Sequence, residues 1–352
     1  MCALQGTDVK LIIKLLHSNR ENLSVSNPVH WRRSKMKEFK QTKDRYKLFE
    51  IKDLKKIAAV EAGLLRGARR WLDEHGYTEV IVPHLVNATG SCEVIATLFE
   101  VPYFGKIAYL TQTGQLYLEA LVPFLGDVWT FGSSFRAEQR ADDRHLTEFS
   151  LLELEFGGGF DKLLGIIEDL FVFMLQHVHN SMDVDVKIPA RPFKRLRYED
   201  AIKKLGLSFG MDTTSVDEQT LVTENNGQPL FITHYPKELK YFNMRVNDED
   251  PRVVNSADFI LPKSGESAGA AEREFRPIKL RQRLLGSSMW INYVANGGDK
   301  HAFDWYLDAY QRYNYKLHSG FGMGLNRVTK YVLQLDDIRQ TTIYPVNAET
   351  IY

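Results

Sequence analysis

Phe135-Arg136-Ala137-Glu138-Gln139-Arg140-Ala141-Asp142-Asp143-Arg144-His145-Leu146-Thr147-Glu148-Phe149 reads as the end of one strand, a polar loop with three arginines and a histidine, and a returning strand. An arginine-rich loop by itself is ordinary solvated surface. A hairpin with cations at its base and an aromatic on its returning strand has a second use. Guanidinium groups pair bidentately with phosphate oxygens, and an aromatic face accepts a base. The pattern suits a nucleoside triphosphate.

Outward from this hairpin the chain alternates between two periods. Leu54, Ile57, Ala58, Ala62, Leu65, Ala68 and Leu72 recur at helical spacing over 51–75, and Gly76 supplies a C-cap. Tyr77 to Val82 reads as a strand that Pro83 ends. Further strands are predicted near 107–112, 127–131, 147–156, 229–233 and 256–262, with helices over 161–182 and from about Gly324 to Leu335. Strands joined by short turns, with long helices beside them, predict an α+β fold built on a mainly antiparallel sheet flanked by helices.

The composition narrows the function. The 352 residues carry 45 basic and 45 acidic side chains, so no global positive field holds nucleic acid non-specifically. Cys2 and Cys92 are the two cysteines, which excludes a disulfide framework and a cysteine-based zinc site. No apolar run reaches the roughly 18 residues of a membrane span and no signal peptide is evident, so a cytoplasmic, membrane-free protein is expected. Basic residues exceed acidic ones eleven to five over 1–50, and that segment reads as a basic extension ahead of one domain over 51–352.

Two more segments carry chemistry. Asp258 and Glu266 stand near the ends of consecutive strands, where two carboxylates could share a hard cation such as magnesium with substrate phosphates. Ser319-Gly320-Phe321-Gly322-Met323-Gly324-Leu325-Asn326-Arg327 is a glycine-rich strand entering a helix, and it lacks the Gly-Lys-Ser/Thr ending of a phosphate-binding loop. Glycines there permit the close approach of a ligand or another backbone.

Taken in order, Gly76 to Pro83, Phe135 to Phe149 and Gly320 to Arg327 resemble the three signature motifs of class II aminoacyl-tRNA synthetases, in the asparaginyl and aspartyl branch. Leu110 to Ala120 and Tyr235 to Lys240 are similar to the asparaginyl pattern, and the resemblance spans about 53–350. It implies ATP and Mg2+ as cofactors. Arg136 would meet the α-phosphate, Glu138 and Phe149 the adenine, His145 the distal phosphates, and Arg327 the other adenine face and the γ-phosphate. Asp258 and Glu266 would carry the metal. Glu93 and Gln115 match residues at the amino acid's ammonium group, and Arg273 the arginine that meets its side chain. Glu119 is the acid that asparaginyl enzymes carry, and a carboxylate there would accept from an amide NH2 and repel a second carboxylate. The family's first motif implies a homodimer through 53–85.

Departures cluster near the substrate. Val94-Ile95-Ala96-Thr97 replaces a glycine-rich loop, Asn243 replaces a tyrosine, and Gly269-Ala270-Ala271 replaces Gly-Gly-Ser. Residues 1–50 are too short for the family's N-terminal anticodon-binding barrel. The expected function is accordingly an adenylate-forming ligase acting on an asparagine- or aspartate-type substrate, free or in a small molecule or peptide. Amidation is the expected outcome, as in free-standing relatives that are asparagine synthetases. The alternatives are a minimal asparaginyl-tRNA synthetase, with tRNA as a partner, and a catalytically silent binding paralogue.

Overall fold

A computed structural model describes residues 53–87 and 97–351, so the extension expected over 1–50, and Glu93, lie outside the described residues. Helix α1 (Leu54–Glu74) starts where the Asp53 carboxylate accepts from the Lys56 N–H at 3.1 Å. It stops where Gly76 turns left-handed at φ +75°. There the N–H groups of Gly76 and Tyr77 donate to the carbonyls of Asp73 and Leu72. The next strand, β1 (Thr78–Glu79), is shorter than the apolar run through Val82 predicts. There follow β2 (Leu85–Val86), β3 (Glu100–Tyr103), β4 (Lys106–Leu110), α2 (Gln115–Leu125), β5 (Val128–Phe135), β6 (Glu148–Gly157) and α3 (Phe160–Ser181).

The second half contributes β7 (Lys194–Arg197), α4 (Tyr198–Leu205), α5 (Ser215–Glu224), β8 (Leu230–Thr233), β9 (Ser256–Leu261) and β10 (Gly265–Glu272). Helices α6 (Pro277–Leu285), α7 (Ser288–Ala295) and α8 (Asp304–Arg312) come before β11 (His318–Gly324) and α9 (Leu325–Leu333). The main sheet runs β1-β5-β6-β11-β10-β9-β8-β7, antiparallel except for the edge pairs β1–β5 and β7–β8. Strands β2, β4 and β3 form a small separate sheet. The expected α+β architecture is the observed one, and among the described residues no helix is long and apolar enough to cross a membrane.

Alternation along the strands gives the sheet two unlike faces. Leu152, Leu154 and Phe156 of β6, Phe259 of β9, and Phe321 and Met323 of β11 pack into one apolar core with α1, α3 and α9. The intervening residues Phe149, Leu151, Glu153, Asp258, Gly322 and Gly324 line a cavity on the opposite face. The buried side of α1 overlaps in part with the stripe that apolar spacing predicts, at Ile57, Ala68 and Leu72. Val60, Leu64 and Trp71 are buried while Ala62 is exposed, because Gly63 and Gly67 lie on the inner face and let α3 approach. A Cβ at Gly67 would come within 2.9 Å of the His177 Cβ.

Two local devices hold the cavity face. Gly320 admits the Glu155 side chain from the neighbouring strand, whereas a Cβ there would fall 2.0 Å from Oε1. Helix α5 begins in a capping box between Thr214 and Asp217 and docks through Glu218, whose Oε2 accepts from the Glu266 N–H at 3.1 Å. Gly265 makes room for that carboxylate, since its own Cβ would lie 2.5 Å from Oε2. Burial, followed by the charge of Glu266, raises the Glu218 carboxyl to about 7, with Arg144 and Arg327 opposing.

Two outcomes follow for stability. Gly320→Ala should lower the urea midpoint by an amount worth about 1–3 kcal/mol, while Gly322→Ala, whose Cβ would meet its first neighbour at 3.6 Å, should stay close to wild type. Equal effects from the two would contradict the packing described. Between pH 4.5 and 7 the folded chain keeps a Glu218 proton that the unfolded chain has released. This group therefore makes stability fall as pH rises through that window, by up to about 3 kcal/mol. Denaturation of Glu218→Gln at pH 5 and pH 7 should show a shallower decline than wild type; identical declines would remove the assignment.

Candidate active site

The hairpin between β5 and β6 is fixed before any ligand is considered. The Arg136 N–H donates to the Thr147 carbonyl at 2.9 Å, closing the base of the loop. Within the loop the Asp142 carboxylate accepts from the backbone N–H groups of Arg144 and His145, both at 2.9 Å, and pairs with His145 Nδ1 at 2.8 Å. Burial works to raise this carboxyl, but those donors outweigh it and hold it below the ordinary range. One side chain thus sets the positions of Arg144 and His145 together.

Arg136 lies over the Phe149 ring at 5.3 Å, as the alternation of β6 allows. Its Nε is buried and has no hydrogen-bond partner among the described residues. A buried guanidinium donor without an acceptor is costly, and an anion in the cavity would satisfy it. Arg327, in the first turn of α9, is held by backbone carbonyls. Nη1 donates to Ser264 at 2.6 Å and Glu266 at 3.2 Å, and Nη2 to Arg144 at 3.3 Å. Burial pulls its guanidinium below the usual value, with Glu266 opposing.

These groups share one cavity of about 520 Å3. Of the residues singled out in the sequence, Arg136, Glu138, His145, Phe149, Arg327, Gln115, Asp258 and Glu266 all line it. Gln115 opens α2 with its amide oxygen accepting from the Gly322 N–H at 3.2 Å and from Arg273 Nη2 at 3.0 Å. Asp258 is bound through both oxygens by Lys240 Nζ at 2.8 Å. Burial pushes its carboxyl up, Lys240 pulls it back, and Glu266 pushes it up again. Among the described residues no group of three or more His, Cys, Asp or Glu side chains converges as a metal set. Any ion at Asp258 and Glu266 therefore needs further oxygens from a ligand or water.

Glu119 and Arg273 are not on the cavity wall. Both are buried beneath it, where Arg273 donates to Glu155 through Nη2 at 2.6 Å and Nε at 3.1 Å, and lies 3.7 Å from Glu119. Burial pushes the Glu155 carboxyl up, and Arg273 opposes. Glu119 accepts from the Asn243 amide at 2.6 Å and from the hydroxyls of Tyr306 and Tyr310 at 2.6 and 3.1 Å. The amide NH2 expected to meet Glu119 from a substrate is supplied within the protein by Asn243. The hydroxyls of Tyr306 and Tyr310 reach it from one face of α8, an i,i+4 spacing that a search for paired side chains could have found. Glu218 left no such signal, because its burial depends on Gly265 in another element.

Comparison with known proteins places the chain in a family. The family described as tRNA synthetases class II (D, K and N) matches residues 37–348. The asparagine–tRNA ligase of Thermococcus gammatolerans is 38% identical over 314 residues, covering 84% of this chain and 70% of that one. The cytoplasmic asparagine–tRNA ligase of Saccharomyces cerevisiae is 34% identical over 313 residues, covering 83% of this chain and 54% of its own. The crystal structure of asparaginyl-tRNA synthetase from Pyrococcus horikoshii complexed with asparaginyl-adenylate matches with a TM-score of 0.76 at 34% identity, covering 84% of this chain and 69% of that one. With its antiparallel sheet and its arginine-walled cavity, the chain belongs to the class II tRNA synthetases (D, K and N), and is an ATP-dependent ligase that releases AMP and pyrophosphate.

Proposed function

We propose that this chain activates asparagine with ATP and passes it to the terminal ribose of a tRNA. The observation that carries the reading is the convergence of Arg136, Arg327, Phe149 and Gln115 on one cavity, with a buried Arg136 donor that has no acceptor among the described residues. In the first step an asparagine carboxylate oxygen bonds to the α-phosphorus of ATP while the bond to the pyrophosphate oxygen breaks. Arg136 meets the charge that builds on the α-phosphate, Arg327 that on the distal phosphates, and Phe149 carries the adenine. Catalysis is then placement and charge stabilisation, and no protein nucleophile is required. In the second step a ribose hydroxyl takes the acyl group and AMP leaves.

Asp258 and Glu266 suit magnesium. Both are oxygen donors on adjacent strands facing the cavity, and an ion there would share Asp258 with Lys240 Nζ, which already meets both of its oxygens at 2.8 Å. Held by these two carboxylates, the ion would supply charge neutralisation to the ATP phosphates. Arg273 and Glu119 act from beneath the floor. Glu119 and Glu155 already share one guanidinium there, so a third carboxylate would meet repulsion that an amide would not. That asymmetry favours asparagine over aspartate. The acceptor is read as tRNA rather than ammonia because the relatives matched over 83–84% of this chain are asparagine–tRNA ligases. A cytoplasmic setting follows the yeast relative's description. Residues 53–85 remain the proposed homodimer surface, and Ile81 is 98% exposed there.

Pyrophosphate exchange tests the reading. Exchange should depend on asparagine well above aspartate, and Arg136→Ala should lower it at least about 10²-fold with an unchanged circular dichroism spectrum. Total tRNA should be charged with labelled asparagine. Free asparagine formed from aspartate, ammonia and ATP, without tRNA charging, would replace this reading with amidation.

A further inference from the structure

His318, the first residue of β11, is 1% exposed and lies beneath the cavity beside the charged floor. Its carbonyl accepts from the Arg273 N–H at 2.9 Å. In its ring, Nδ1 lies 2.8 Å from the Lys316 carbonyl and Nε2 lies 3.0 Å from the Tyr310 hydroxyl. A carbonyl only accepts, so Nδ1 carries a hydrogen. Nε2 is then bare in the neutral ring and protonated in the imidazolium.

The Tyr310 hydroxyl makes that difference count. It has one hydrogen and reaches two groups that can take it, Glu119 Oε2 at 3.1 Å and His318 Nε2 at 3.0 Å. Beside a neutral imidazole the hydrogen serves one of them, and the other contact holds no proton. Beside an imidazolium, Nε2–H donates to the hydroxyl oxygen, the hydroxyl donates to Glu119, and both contacts are filled. Tyr306 does not make up the shortfall, since its own hydrogen lies on Glu119 Oε2 at 2.6 Å. The extra proton also balances charge. Arg273 faces both Glu119 and Glu155, and an imidazolium sets two positive side chains against those two negative ones.

We propose that His318 is a specificity-determining residue that, through Tyr310, holds one proton for the buried floor and so sets how strongly the cavity rejects a side-chain carboxylate. The proposal rests on asparagine as the substrate. With the proton in place the four side chains balance. Without it they carry one net negative charge, which repels aspartate and has little effect on the uncharged amide of asparagine. Burial drives the proton off, Glu119 and the Lys316 carbonyl oppose, Arg273 assists and Glu272 opposes, and the balance lies below the ordinary histidine value. The proton therefore leaves as pH rises from about 5 to 6.5, and discrimination against aspartate grows over that interval. Aspartate's own side chain, which titrates near about 3.9, is already ionised throughout.

Pyrophosphate exchange on the full chain reads the effect as the inhibition constant of aspartate divided by the KM for asparagine. In wild type this ratio should rise about tenfold between pH 5 and 6.5. His318→Gln keeps a donor toward Tyr310 and cannot gain a charge. Tyr310→Phe keeps the ring that stacks on Tyr315 at 3.7 Å and removes the link. In both variants the rise should shrink to about twofold or less, and because the other buried acids remain, the part that disappears belongs to His318. A rise as large as that of wild type in His318→Gln overturns the proposal. Nitrogen NMR of histidine-labelled wild type tests the proton without any substrate, the His318 ring being assigned by its displacement in Tyr310→Phe. Nδ1 should be protonated throughout and Nε2 should gain a proton below about pH 6.5. An Nε2 that stays bare down to pH 5 overturns the proposal whatever the substrate. Exchange that asparagine fails to support, beside an Nε2 that does titrate, overturns the asparagine reading and with it the selectivity role.

Discussion

Three charged side chains buried together, Glu119, Glu155 and Arg273, are the constraint on which the cavity floor depends. One guanidinium between two carboxylates is tolerable only when every remaining lone pair finds a donor. Here Asn243, Tyr306 and Tyr310 complete the shell of Glu119, and Gln115 takes a donor from Arg273. The cluster draws on α2, β6, the residue that follows β10, α8 and the segment at Asn243, so it ties α2 and α8 to the sheet. Loss of one partner from such a buried set costs about 3–5 kcal/mol, because it leaves a charge without compensation. The floor is therefore rigid in a way that an apolar floor of equal volume need not be.

Above that floor the cations divide into two kinds. Arg327 is tethered to three carbonyls and has little freedom to move. Arg136 stacks on Phe149 and keeps a buried donor without an acceptor among the described residues. The first fixes the shape of the cavity, and the second keeps a bonding capacity that a ligand can complete. Asp142 extends this order to the loop, since a single carboxylate sets the two neighbouring residues Arg144 and His145 at once.

Much of this was legible in the sequence where function is contiguous. Arg136, Glu138, His145 and Phe149 share one hairpin, and the alternation of β6 assigns Phe149 and Leu152 to opposite faces without any knowledge of neighbours. Burial of charge was not legible, because it is a property of partners. Glu119 reads as a substrate contact until Tyr306, 187 positions away, is seen to occupy it. The inner face of α1 is legible only in part for a different reason, since counting apolar side chains ignores glycines that bury backbone.

The notch at Gly320 has an evolutionary corollary. A side chain can enter that position only if the acid opposite it on β6 shortens or withdraws, and any retreat of Glu155 strips the arginine of its main counter-charge. The two sites must drift as a pair, through intermediates that are each worse than either endpoint. Descendants of this fold should therefore keep a bare backbone at that point long after the surrounding loops have diverged, whatever amino acid they come to handle.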